Sequence, residues 1–372
     1  MAPGAWVRVA ARGRPMMGLC RRLGATACHL GALPAGEAVE ADEPQVPVRH
    51  VPSLGLSLPV VGFGAFGLTA ERTQAECNEA LAAAVRMGAT YIDVAPAYGA
   101  GEAERKLGPA LAGVGRERCF VSCKTGKRSA EEAATELENS LEVVGTSYFD
   151  LYQCHAVTTA EDVDRILAPG GALEAMKAAK AAGKIRAIGF SAHDEKQACR
   201  LIATGEFATV MFPFNFYSVT VGEVGMRVLA AAKKKGMGVF ALKSMARCRL
   251  EPHGTASSKP LAAANTAARG LSHPQYKVWY QPEDDLEYAA LLLRFTLSVG
   301  GGIVASALSP GHLDLFDSLA SLARGKTLAE ISSPLTAEEE GRLLERGEGL
   351  VPVFHEGNRG PGNMQNSENW EA

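Results

Sequence analysis

From residue 54 onward the chain repeats one pattern: a short apolar or β-branched run, a loop, then a segment with helical periodicity. The strand-like runs are 58–64 (LPVVGFG), 90–94 (TYIDV), 119–124 (CFVSCK), 149–154 (FDLYQC), 185–190 (IRAIGF), 208–213 (ATVMFP), 237–242 (MGVFAL) and 302–306 (GIVAS). They are nearly continuous in apolar character, as parallel strands buried on both faces must be. The helices between them carry end signals. Thr73 with Glu76, and Ser129 with Glu132, have capping-box spacing. Gly183 stops the helix of Leu173 and Met176, and Lys233, Lys234 and Lys235 precede Gly236 at another C-terminus. Cations in a last turn answer the helix dipole, so the lysine run needs no nucleic-acid explanation.

Eight such pairs in about 260 residues match one α/β domain, a (β/α)8 TIM barrel. The competitor is a doubly wound sheet, which wants a Gly-rich phosphate turn running directly into a helix. The stretch 62–67 (GFGAFG) resembles that turn, but the helix signal at Thr73 comes too late for a pyrophosphate to sit on its N-terminus.

Composition narrows the function classes. With 47% hydrophobic residues and a formal net charge of -3, the chain can bury a full core and lacks the basic excess of a phosphate-backbone binder. The best apolar stretch, 286–299, contains Glu287 and Arg294, so no membrane span is expected. The cysteines (Cys20, Cys28, Cys77, Cys119, Cys123, Cys154, Cys199, Cys248) form no C-x-x-C pair and no zinc spacing with histidine, so no metal is expected. A reducing compartment follows.

Residues 1–48 read as a disordered leader and linker, 49–350 as the barrel and 351–372 as a flexible tail. The leader carries five arginines and no acid before Glu37. Either it is a mitochondrial or chloroplast transit peptide, or the start lies further in and the protein is cytoplasmic. The segment 247–284, with Trp279 and Tyr280, reads as an insertion at the mouth that serves as a lid or as a plain loop. His253, His273 and His312 lie in loops without ligand spacing.

In such a barrel, chemistry sits where strands end. The second run ends at Asp93 with Tyr98 beyond it, the third ends at Lys124, and the fourth leads to His155. A phenol with pKa about 10 is a poor proton donor near neutrality, and a neighbouring ammonium lowers that pKa. A carboxylate keeps the ammonium charged, and a histidine orients a carbonyl oxygen. The set suits protonating an oxygen while hydride arrives at its carbon. Cys154, beside His155, alternates with Tyr152 and is expected in the core.

These stretches resemble the aldo-keto reductase family, an NADP-dependent oxidoreductase domain. The matches are LPVVGFGAFGL (58–68), YIDVAPAYGAGEAERKLGPAL (91–111), CFVSCKTG (119–126), FDLYQCHAV (149–157), GKIRAIGFSAH (183–193) and MGVFALKSMA (237–246). The resemblance implies Tyr98 as general acid, Lys124 and Asp93 tuning it, and His155 placing a small-molecule carbonyl. It implies a nicotinamide dinucleotide, NADPH with NADH not excluded, lying across the mouth. Gly64, Ala65, Phe66, Ser191, Leu242, Lys243, Ser306 and Ser309 are the implied cofactor contacts. The family's Asn beside Ser191 is Ala192 here, its strand-six Gln is Met211, and its stacking aromatic after strand seven gives way to Leu242 and Lys243. The segment 306–317 carries no Lys or Arg for a 2′-phosphate. These departures support an alternative, a catalytically weak cofactor-binding protein with a regulatory or redox-sensing role. An isomerase or lyase has less support.

Overall fold

The structure is a computed structural model, and it describes residues 45–68, 71–249, 280–308 and 313–355. The hairpin β1 (Val48–Val51) and β2 (Leu56–Pro59) comes first, then β3 (Val61–Gly64). After it, helices alternate with strands: α1 (Gln74–Arg86), β4 (Tyr91–Asp93), α2 (Glu102–Val114), β5 (Phe120–Thr125), α3 (Ala130–Val144) and β6 (Phe149–Val157). Two helices, α4 (Ala160–Leu167) and α5 (Ala172–Ala181), lead to β7 (Ile185–Ala192). Then follow α6 (Glu195–Thr204), β8 (Thr209–Phe212), α7 (Met226–Lys235) and β9 (Gly238–Ala241). A second hairpin, β10 (Ala246–Arg249) and β11 (Tyr280–Pro282), precedes α8 (Leu286–Gly302) and β12 (Val304–Leu308). The last helices are α9 (Leu313–Ala323), α10 (Leu328–Ile331) and α11 (Ala337–Arg346).

Strands β3 to β9 and β12 close into a parallel barrel in which β12 pairs with both β3 and β9. The eight apolar runs are its eight strands, as the sequence predicts. Because successive side chains on a strand point to opposite faces, the barrel makes two cores. Tyr91, Leu151, Ala187, Met211, Phe240 and Leu308 fill the interior. Their strand neighbours, such as Ile92, Val121, Tyr152, Cys154 and Phe190, pack outward against the helices. Cys154 is fully buried there, in line with its core reading.

The hairpin β1–β2 closes the N-terminal end of the barrel. Val51 and Leu58 join the interior cluster, and Ser53 Oγ accepts from Gly238 N at 2.8 Å. Among the described residues, the opposite end, where the strands finish, is not covered by this hairpin.

The helix ends follow the sequence signals with one difference. Thr73 and Glu76 form the reciprocal box. Ser129 accepts from Glu132 N, but Glu132 takes the Ser129 hydroxyl at 2.6 Å instead of returning to the backbone. The domain edges move outward. Val46 is buried and Val46 N donates to Met87 O, so the chain is tied down before residue 49. Val353 and Phe354 are buried against Ala246 and Tyr280, so 351–355 belongs to the fold and not to a free tail. The segment 247–284 is not loop throughout, since its ends pair as β10–β11. Residues 250–279, with His253, His273 and Trp279, lie outside the described residues, as do the leader to residue 44, Ser309, His312 and the tail from 356. No helix among the described residues is long and apolar enough to cross a membrane.

Candidate active site

Asp93 is the last residue of β4 and Lys124 the last but one of β5, so both point into the barrel near its open end. They are 2% and 1% exposed, and burial at this level demands that each charge have a partner. Lys124 Nζ donates to Asp93 Oδ2 at 2.5 Å, to Tyr98 Oη at 2.7 Å and to Val94 O at 3.3 Å. The Tyr98 hydroxyl donates to Asp93 Oδ2 at 3.2 Å. The ammonium also lies 4.6 Å from the Tyr98 ring centroid.

Tyr98 comes from the loop after β4. The turn that follows it places Gly99, Ala100 and Gly101 in succession at positive φ, 58, 49 and 85 degrees. Two glycines make that turn accessible, and Ala103 N then returns to Tyr98 O to start α2. His155 stands on the last part of β6, its ring edge-on to Tyr98 at 5.8 Å between centroids. The four residues singled out in the sequence therefore share one site.

The electrostatics differ from expectation at one point. Burial first, and the Asp93 carboxylate second, push the Tyr98 hydroxyl well above the ordinary phenol range. The neighbouring ammonium does not make Tyr98 a stronger acid in the free protein, because burial and, after it, the carboxylate 3.2 Å away oppose loss of the proton. Burial, reinforced by Lys124, Arg128 and Lys243, holds the His155 imidazole well below its usual value, hence neutral. Lys243 is lowered to about 7, by burial and then by Lys124 against the opposing pull of Asp93.

The remaining sequence candidates are spread between the mouth and the core. Gly64 and Phe66 border the site, and the half-buried Phe66 ring meets Tyr98 edge-on at 5.2 Å. Ala65 is fully buried in the outer core. Ser191, near the end of β7, accepts from Ala156 N at 2.8 Å. Leu242 and Lys243 follow β9. Lys243 adopts φ 56 and sits 3.1 Å from His193 Nε2. Ser306 is fully buried two residues before the end of β12, beside Gly62, and not on the rim.

Three nearby residues escaped the sequence reading. His193 stacks on Phe354 at 5.1 Å, and Lys243 Nζ lies 5.6 Å from the same ring. Arg128 bonds the His155 carbonyl. The apolar stretch 350–354 (LVPVF) was the signal for Phe354, whereas an arginine in a loop carries none.

The Asp93–Lys124–Tyr98 cluster and His155 sit together at the C-terminal mouth of a closed parallel barrel, the face where such barrels carry their sites. The Aldo/keto reductase family model matches residues 60–327, and the chain belongs to that family. It is 32% identical over 205 residues to an aldo-keto reductase, YhdN, of Bacillus subtilis, covering 52% of this chain and 58% of that protein. It is 27% identical over 241 residues to an Arabidopsis thaliana L-galactose dehydrogenase, covering 60% and 74%. Thus the chain spans little more than half the length of the Bacillus relative. Among solved structures, the holo form of a Bacillus halodurans aldo-keto reductase superposes with TM-score 0.59 at 19% identity, over 85% of this chain and 100% of that one. A Klebsiella pneumoniae aldo/keto reductase in complex with NADP and acetate gives 0.52 at 20%, over 85% and 99%. At these identities the likeness is one of fold.

Proposed function

We propose that the protein is an NADPH-dependent carbonyl reductase that converts an aldehyde or ketone to an alcohol, with Tyr98 as the general acid. The observation that carries this is the triangle of Lys124 Nζ, Tyr98 Oη and Asp93 Oδ2 at 2.5–3.2 Å, built on the buried Asp93 and Lys124 beside His155.

The rim fits a nicotinamide dinucleotide. Ser191 Oγ accepts from Ala156 N and, among the described residues, donates to nothing, so its proton is available to an amide carbonyl. Phe66 supplies an apolar wall next to Tyr98. Ala192 and Met211, both buried and apolar, offer no amide group, so Ser191 holds the carboxamide with fewer side-chain partners than the family usually provides. Lys243 is the cation for an anionic part of the cofactor. NADH serves in place of NADPH only if no residue reads the 2′-phosphate. When bound, the reduced nicotinamide supplies hydride to the carbonyl carbon.

The chain's own residues manage the oxygen. Tyr98 arrives protonated, because burial and Asp93 keep its proton on. The neutral His155 imidazole orients the carbonyl oxygen toward the phenol without competing for charge. As negative charge develops on that oxygen, Tyr98 delivers its proton, and Lys124 at 2.7 Å stabilises the phenolate that forms. Asp93, 2.5 Å from the Lys124 ammonium, supplies the counter-charge that its burial requires. Lys124 thus acts on the transition state and not on the resting phenol.

The test is NADPH oxidation with a panel of simple aldehydes and quinones. Tyr98→Phe is expected to lose about 10²–10⁴-fold in kcat, the usual contribution of a general acid, with NADPH affinity unchanged. Equal turnover by wild type and Tyr98→Phe would sink the assignment. Tight NADPH binding with no turnover on the panel would turn the reading to a regulatory cofactor-binding protein.

A further inference from the structure

The end of β6 is not a regular strand. Cys154 pairs with Phe190, but the next pair is Val157 with Ala192, so three steps on β6 match two on β7. The extra residue makes a bulge, a device that re-aims a side chain. Within it Ala156 stands at φ 50, a left-handed conformation that a residue with a Cβ keeps only when its surroundings impose it. His155 is the residue before it.

Two anchors impose this shape. On one side Ala156 N donates to Ser191 Oγ at 2.8 Å. On the other, Arg128 Nη2 donates to His155 O at 2.8 Å while its Nε donates to Asp162 Oδ1 at 2.8 Å. Asp162 also accepts from Thr158 N and Thr159 N, both at 3.2 Å, so it grips the chain just beyond the bulge. Burial works to raise the Asp162 pKa, but Arg128 and these two amides outweigh it and keep the carboxylate charged. The backbone of Arg128 is itself held, since its carbonyl accepts from Ala172 N at 2.8 Å. Among the described residues no hydrogen bond reaches the His155 ring. The direction of the ring is therefore set through its backbone.

We infer that Arg128 is a positioning residue for the reaction: its guanidinium ties the His155 carbonyl to Asp162 and so holds the bulge that aims His155 at Tyr98. The inference rests on the reductase reading above. It names a residue that never meets the substrate and acts only through His155. Arginine suits the task because one planar group donates in two fixed directions at once, whereas a lysine ammonium at the end of a flexible stem meets only one of the two acceptors well.

The experiment is a double-mutant cycle on the full chain, with benzaldehyde and NADPH as substrates. Arg128→Met is expected to lower kcat about 10–100-fold and to raise the KM for the aldehyde, the scale of a misplacement near 1 Å. NADPH affinity, read by fluorescence, is expected to stay unchanged. Arg128→Lys should recover part of the loss. In a His155→Ala background the same Arg128→Met change should lower kcat less than about twofold, because its target is gone. An equal loss in both backgrounds, or a parallel fall in NADPH affinity, would overturn the inference. If Arg128→Met does not fold, Arg128→Lys is put through the same cycle with the same two outcomes. Failure of the wild-type protein to reduce any aldehyde is a separate result: it removes the reductase reading, and this inference with it.

Discussion

Replacing Lys124 with methionine leaves the Asp93 carboxylate in a site only 2% exposed, with the Tyr98 hydroxyl as its sole remaining donor from the cluster. Its other oxygen, Oδ1, already has no hydrogen-bond partner among the described residues. A buried charge deprived of its counter-charge destabilises a fold by about 3–5 kcal/mol, because desolvation is no longer offset. For a domain of this size that is a fall in Tm on the order of 10 °C. Lys124→Met should therefore lose stability and turnover together. Adding Asp93→Leu removes the stranded charge, and an apolar pair of similar volume is close to neutral in stability. The double variant should regain most of the lost stability and none of the turnover, because nothing then stabilises a Tyr98 phenolate. Urea denaturation and NADPH oxidation measure the two quantities separately. A Lys124→Met protein within about 1 kcal/mol of wild type, or a double variant as unstable as the single one, would refute the ion-pair argument.

Lys243 gives two pH effects. With its pKa lowered to about 7, it is charged below that pH and neutral above. If it meets an anionic part of the cofactor, NADPH affinity should weaken between about pH 6 and about pH 8, and the slope should vanish in Lys243→Met. The unfolded chain holds that proton up to about pH 10.4, so it binds more protons than the folded one between the two values. The unfavourable contribution of the buried charge is full below about 7 and relieved as pH rises toward about 10.4. Stability measured against pH should rise across that window in wild type by an increment absent from Lys243→Met. Gly189 faces the barrel interior, where an added Cβ would lie 2.1 Å from Thr209 Oγ1. Gly189→Ala should lower the unfolding free energy by about 1–3 kcal/mol, the usual consequence of overpacking, and a urea midpoint equal to wild type would contradict this close packing.

The barrel and the cluster at its mouth were legible for the same reason: both are written in local pattern. A strand buried on both faces is largely apolar along its length, so polar residues late in each run stand out near the strand's C-terminal end, as Asp93, Lys124 and His155 do. Tyr98 was legible through the loop that follows Asp93. Ser306 was misplaced toward the rim because the depth of a residue within a barrel depends on the stagger of neighbouring strands, which no single strand encodes. The rise in the Tyr98 pKa also escaped, because burial and the nearby carboxylate outweigh an ammonium only at particular distances.

The chain's own order of residues thus determined the architecture, the end of the barrel where the candidate residues gather and the residue types found there, since periodicity and strand termini are properties of short stretches. Tertiary structure alone decided the bulge that turns His155, the Arg128–Asp162 clamp behind it, and the seating of Phe354 against His193 and Lys243. These are contacts between stretches far apart in sequence. Their strength depends on distance and burial, and neither exists until the barrel has closed.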